Sequence, residues 1–157
     1  MLKKIEIIYF FAFLILLTSC GFEKINQENN LVRLQNINVV SVDKRLAYKL
    51  KNNISLISNE FAKKTYDVEI SFTQKKIIKV KDGTGKAKRY GINAITNITL
   101  KNIDKQKTVG RVLTHSADYE VGANHSETKN NEKNALKNII KQVSEDINSF
   151  IKISVRK

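Results

Sequence analysis

Tyr66-Asp67-Val68-Glu69-Ile70-Ser71-Phe72-Thr73 alternates apolar and polar residues without a break. A period of two is that of a β-strand, whose successive side chains point to opposite faces. Residues 66, 68, 70 and 72 therefore line a buried face, and residues 67, 69, 71 and 73 an exposed one. The strand extends through Ile77, Ile78 and Val80. Lys81-Asp82-Gly83-Thr84-Gly85-Lys86 then reads as a turn, because glycine tolerates positive φ and an Asp side chain bonds nearby backbone. Beyond it Tyr90, Ile92, Ala94, Thr96, Ile98 and Leu100 fall on one face of a further strand, and Asn93, Asn97, Thr99 and Lys101 on the other. Asn102 to Lys107 forms a hairpin connection. The strand that follows, Thr108 to Val121, places Val109, Leu113, Ala117, Tyr119 and Val121 on one side. Three strands joined by short turns make an antiparallel meander.

Working backwards, Arg33 to Val42 carries Leu34, Ile37, Val39, Val40 and Val42 and reads as a first strand. Asp43 offers an N-cap side chain. Leu46, Leu50, Ile54, Ile57 and Phe61 follow at helical spacing, which predicts a helix from Lys44 to Phe61. Working forwards, Gly122 to Asn131 is polar. From Glu132 to Ile153 the apolar positions Leu136, Ile139, Ile140, Val143, Ile147, Phe150 and Ile151 keep a 3.6-residue period, with Lys137, Lys141, Glu145 and Asn148 opposite. The order β-α-β-β-β-α predicts an α+β fold in two layers: two helices packed on one face of a four-stranded mixed sheet, the other face polar and open.

Before the first strand lies a different kind of sequence. Lys3-Lys4, the apolar run Ile5 to Leu17, and Leu17-Thr18-Ser19-Cys20-Gly21 follow one another. This is the layout of a secretory signal peptide with a small-residue cleavage site, and the cysteine just after it makes the site resemble a bacterial lipobox. The apolar run is shorter than the about 20 residues of a spanning helix and contains Glu6. Cys20 is the only cysteine in the chain, and a lone cysteine in an exported protein needs an explanation. Acylation supplies one, since several acyl chains on one residue hold a protein on a membrane. The reading divides the chain into a signal peptide (1–19), a lipidated N-terminus and polar tether (20–32) and one domain (33–157). No disulfide is available, so a hydrophobic core holds the fold.

The formal net charge is +13. The signal peptide carries only Lys3, Lys4 and Glu6, so the mature chain keeps almost all of that charge. Such an excess points to an anionic partner. A basic domain ordinarily raises nucleic acid first, but an exported chain meets phosphorylated lipids and acidic membrane surfaces instead. Part of the excess reflects the Lys, Asn and Ile abundance of an AT-rich genome and the demands of solubility. The cations concentrate in Lys75, Lys76, Lys79, Lys81, Lys86, Lys88 and Arg89, on both sides of Gly83-Thr84-Gly85. Folded as a hairpin, this stretch is a finger suited to phosphate, with Arg89 able to give two parallel hydrogen bonds. A charged, solvated hairpin tip that protects the sheet from aggregation is the plainer reading.

Catalytic constellations are hard to find. His115 shares the parity of Leu113 and Ala117, which makes it a partly buried structural residue, and His125 falls in a polar loop beside Glu127. Neither spaced histidines nor clustered cysteines provide a transition-metal site. Gly85-Lys86 is not the end of a phosphate-binding loop, because Val80 stands where the first glycine belongs and Ala87 where Ser or Thr is required. Asp67 with Glu69, and Asp118 with Glu120, share strand faces, as solvated carboxylates commonly do. Arg111 lies on the parity of Val109 and Leu113, which implies either an inward charge with a partner or a slip of parity at a bulge. The expectation is a protein that is not an enzyme and that holds no metal or cofactor.

The chain resembles the LPS-assembly lipoprotein (LptE) family. The likeness begins at Cys20-Gly21-Phe22 and follows the β-α-β-β-β-α order. It is clearest in Arg89-Tyr90-Gly91-Ile92, Ile98-Thr99-Leu100, Val109-Gly110-Arg111-Val112 and Ala117-Asp118-Tyr119, and a C-terminal helix with Ala135-Leu136 and Ile147 completes it. The resemblance implies a lipoprotein of the outer membrane, facing the periplasm, that assembles with the LptD β-barrel, plugs its lumen and binds lipopolysaccharide in transit. Gly21 after the cysteine agrees with outer-membrane sorting. On this reading Lys81, Lys86, Lys88 and Arg89 meet the lipid phosphates. The rival expectations are a scaffold lipoprotein of another envelope complex, such as the barrel-insertion machinery, and a small periplasmic hydrolase using His115 or His125.

Overall fold

The alternation of residues 66–73 becomes the centre of a sheet whose inner face is the core. The computed structural model describes residues 32–156, so the signal peptide, Cys20 and the tether up to residue 31 lie outside the described residues. The elements are β1 (Val32–Ser41), α1 (Lys44–Ser55), β2 (Lys64–Lys81), β3 (Ala87–Asn102), β4 (Thr108–Glu120) and α2 (His125–Arg156). The sheet order is β1-β2-β3-β4, with β1 parallel to β2 and the other pairs antiparallel. This is the two-layer α+β arrangement that the sequence predicts.

Tyr66, Val68, Ile70 and Phe72 of β2 are buried, as are Ile92, Ala94, Ile98 and Leu100 of β3 and Leu113 and Tyr119 of β4. Leu46, Leu50 and Ile54 of α1 and Ile139, Val143, Ile147 and Ile151 of α2 close over them. Asn53 Nδ2 donates to Ser144 Oγ at 3.0 Å and links the two helices. In β1 the register jumps from Leu34↔Tyr66 to Asn36↔Asp67, so Gln35 is a bulge. The inward set therefore changes from Val32 and Leu34 to Ile37 and Val39, leaving Val40 exposed. The strand also begins at Val32, which is buried and belongs to the sheet rather than to the tether.

Three expectations are corrected. The first helix stops at Ser55 and not at Phe61. The backbone beyond it is claimed by tighter turns and by β1: Ile57 N donates to Ile54 O, Asn59 N to Val32 O, and Leu34 N to Ser58 Oγ. Phe61 is left exposed. The second helix starts at His125, seven residues before Glu132, so His125 opens a helix and is not in a loop. Capping starts it: Glu127 N donates to Asn124 Oδ1 at 2.8 Å and Ala123 N to Glu127 Oε2 at 2.8 Å. Asn148 is partly buried rather than on the polar face, and its Oδ1 is shielded without a partner among the described residues.

Arg111 follows neither branch of its expectation. The β3–β4 register runs unbroken from Lys101↔Thr108 to Arg89↔Glu120, so no bulge shifts it. It faces the helical side yet remains exposed, because β4 is the edge strand.

Ile147→Ala opens a cavity under α2 and is expected to cost about 2–5 kcal/mol. Asn124→Ala removes the cap and is expected to cost about 1 kcal/mol. Val112→Thr, on the open face, should stay within about 0.5 kcal/mol of the parent. Urea midpoints at constant slope measure all three.

Candidate functional site: a basic hairpin on an aromatic base

β1 stops pairing at Ser41↔Phe72, but β2 continues to Lys81. At about 3.3 Å per residue this leaves roughly 30 Å of β2 without a neighbour on that side. β3 and β4 accompany it as far as Arg89↔Glu120, and the turn lies beyond.

Asp82 holds the turn together. Its Oδ1 accepts from Thr84 Oγ1 at 2.7 Å, Thr84 N at 2.9 Å and Lys86 N at 3.0 Å. The Thr84 hydroxyl first, then the backbone N–H groups of Thr84 and Lys86, hold its carboxyl below the usual range. Gly85 has φ 85°, a left-handed conformation that favours glycine.

The seven cations of the finger divide into two sets. Lys75, Lys81, Lys86 and Lys88 are exposed and make no ion pair among the described residues. Arg89 is engaged: its Nε donates to Glu120 Oε1 at 2.7 Å, and its Nη2 lies 2.6 Å from the same oxygen. Lys79 is the bulge residue between Ile78 and Val80, and its Nζ lies 4.0 Å from Asp118 Oδ1. Its stem crosses Gly91, where a Cβ would stand 2.6 Å from Lys79 Cε. The sequence places Arg89 with the phosphate-binding residues, whereas the fold gives it a carboxylate on the adjacent strand.

Lys76 lies on the inner face. Its Nζ stands 4.0 Å from the Tyr90 ring centroid, 5.2 Å from that of Tyr119 and 3.6 Å from Glu132 Oε1. The two rings stack with centroids 5.6 Å apart, and Lys129 Nζ donates to Glu132 Oε2 at 3.0 Å. Burial works against the Lys76 charge, but the Tyr119 side chain and the Glu132 carboxylate outweigh it and raise its pKa. Burial likewise pushes the Glu132 carboxyl up, while Lys129 and Lys76 together pull it lower. This cluster fastens the start of α2 to the base of the finger. Sequence reasoning missed it by counting Lys76 with the tip. Its signal was parity, since position 76 shares the inward set of 68, 70 and 72.

The remaining titratable candidates sit outside this cluster. His115 Nε2 lies 3.0 Å from Asp146 Oδ2, joining β4 to α2, and the His115 side chain is 13% exposed. His125 is exposed at the start of α2. Asp67 Oδ1 accepts from Asn36 N and Nδ2 across the β1 bulge. Among the described residues no group of three His, Cys, Asp or Glu side chains is placed to hold a metal ion. A hollow of about 540 Å³ lies between residues 41–45 and 72–74. Its one carboxylate, Asp43, caps α1 by accepting from Arg45 N at 2.8 Å.

No protein-family model matches the sequence, and no curated protein matches it. Solved structures do match the two-layer α+β fold, and three of them are described as bacterial lipoproteins. Rare lipoprotein B of Shewanella oneidensis superimposes with a TM-score of 0.60 at 10% identity, over 77% of this chain and 96% of that one. A Caulobacter crescentus chain described as a lipoprotein gives 0.54 at 12% identity, over 76% and 90%. Lipoprotein B of Nitrosomonas europaea gives 0.52 at 11% identity, over 82% and 91%. Among the described residues no helix is long and apolar enough to cross a membrane.

Glu132 provides a pH test. Its folded pKa is lowered from 4.5, so its contribution to stability is present above that value and is lost as pH falls through the folded one. The stability gap between the parent and Glu132→Gln is therefore expected to be constant above about pH 6 and to close below about pH 4. Urea unfolding across that range measures it.

Proposed function

We propose that this chain is an outer-membrane lipoprotein, acylated at Cys20, that assembles with an LptD-type β-barrel and plugs it during lipopolysaccharide export. The observation that carries the reading is the joining of two things. A lipobox-like Leu17-Thr18-Ser19-Cys20 precedes the domain, and the domain shares its fold with nearly the whole of a rare lipoprotein B chain. The role is that of a non-enzymatic subunit, and the His115–Asp146 pair serves to hold α2 on β4. The finger supplies the lipid contact: Lys81, Lys86 and Lys88 present free cations at its tip, and Arg89 joins them when it leaves Glu120.

Affinity purification of the tagged lipoprotein from detergent-solubilised outer membranes tests the reading. Stoichiometric recovery of the lipopolysaccharide-transport barrel is expected. Recovery of the barrel-insertion machinery instead would replace the plug with a scaffold role. For the lipid contact, combined Lys81→Glu, Lys86→Glu and Lys88→Glu is expected to reduce co-purifying lipopolysaccharide severalfold, while Glu120→Gln, which frees Arg89, is expected to raise it. Unchanged lipopolysaccharide in both variants removes the tip from the binding site.

A further inference from the structure

The end of the domain opposite the finger carries an arrangement that the plug reading does not use. β1 begins there at Val32, and hydrogen bonds gather three other segments beside it. Asn59 N donates to Val32 O at 2.9 Å, Ile103 N to Thr65 O at 3.0 Å, and Lys64 Nζ to Val155 O at 2.6 Å. The loop after α1, the β3–β4 turn and the last turn of α2 therefore share one end of the molecule with the start of the described chain.

That end carries three exposed large apolar side chains. Phe61 is 93% exposed, Leu56 83% and Ile153 56%. The same end carries Lys63, Lys105, Lys107, Lys152 and Arg156, all exposed and without an ion pair among the described residues. The nearby carboxylates are Glu60 and Asp104, and Asp104 Oδ2 accepts from Thr65 N. Bare aromatic and aliphatic side chains together with unpaired cations at one end of a domain are the chemistry of a surface that enters the headgroup layer of an anionic bilayer.

The occupant follows from where the chain goes. Residues 20–32 span at most about 47 Å when fully extended, so a bilayer that holds the acyl chains of Cys20 lies within reach of this end. We infer that Phe61 and Leu56, with Lys63, Lys105, Lys107 and Arg156 at the same end of the fold, dock the domain on the surface of an anionic phospholipid membrane. The inference rests on the acylation of Cys20 proposed above. The contact adds a second membrane attachment to the lipid anchor and fixes which end of the domain faces the bilayer.

The chain contains no tryptophan, so one introduced residue reports its own surroundings. Phe61→Trp replaces an exposed side chain. Gly83→Trp, at the finger tip, is its counterpart, since a Cβ there meets nothing within 4 Å. The full lipidated protein is reconstituted in phosphatidylglycerol vesicles containing lipids brominated on their acyl chains, and labelling with palmitate reports Cys20 separately. The expected result is palmitate on Cys20, with Phe61→Trp blue-shifted and quenched at least about twofold more than Gly83→Trp, as for a side chain ~5–10 Å into the interface. The difference should shrink in phosphatidylcholine and on Lys63→Glu with Lys107→Glu. Labelled protein with equal quenching at both positions overturns the docking surface and leaves the lipoprotein reading standing. Unlabelled protein overturns both.

Discussion

β1 and β2 run in the same direction, and the rest of the molecule depends on that constraint. Parallel neighbours cannot be joined by a tight turn, so the chain must travel back along the sheet before β2 begins. α1 makes that return, and it buries Leu46, Leu50 and Ile54 on the way. The return also decides what lies at each end. The loop carrying Leu56 and Phe61 is delivered beside Val32, while β2, once past Ser41, is free to grow beyond its partner. One pairing thus produces both the apolar end near the N-terminus and the projecting basic finger.

The charge of the chain takes on a more specific meaning in this frame. A cation-rich stretch read in sequence looks uniformly available for an anionic ligand. In the sheet, parity and register assign partners: Lys76 goes inward to Tyr90 and Glu132, Lys79 across Gly91 to Asp118, and Arg89 to Glu120. The Lys79 and Arg89 pairs are largely exposed and contribute little to stability individually, whereas Glu132 beside Lys76 is mostly buried. These pairings leave Lys81, Lys86 and Lys88 at the tip, and Lys75 on the outer face of β2, without an ion pair among the described residues.

Much of the fold was legible because its strands alternate cleanly. The inner row from Tyr90 to Leu100 and the Val109, Leu113, Ala117, Tyr119 row lie where period two places them. What could not be read was set by hydrogen bonds rather than by hydrophobicity. The periodicity that ran on through Ile57 to Phe61 gave way to the bonds from Asn59 and Ser58 to β1. The first two turns of α2 are polar, so only the Asn124-x-x-Glu127 spacing announced them. Arg89 is the clearest case at the candidate site. Its neutralising partner is 31 positions away and meets it only through the β3–β4 register.

The clustering at the N-terminal end has a mechanical side. A pull applied at Val32 acts along the axis of β1, and the β1–β2 hydrogen bonds from Val32↔Lys64 to Ser41↔Phe72 lie roughly across that line. Such a load is shared by the whole ladder at once instead of opening it one bond at a time. Asn59 and Ser58 add lateral ties to the same strand. A domain tethered at that terminus would be held through a strand whose ladder is loaded in shear.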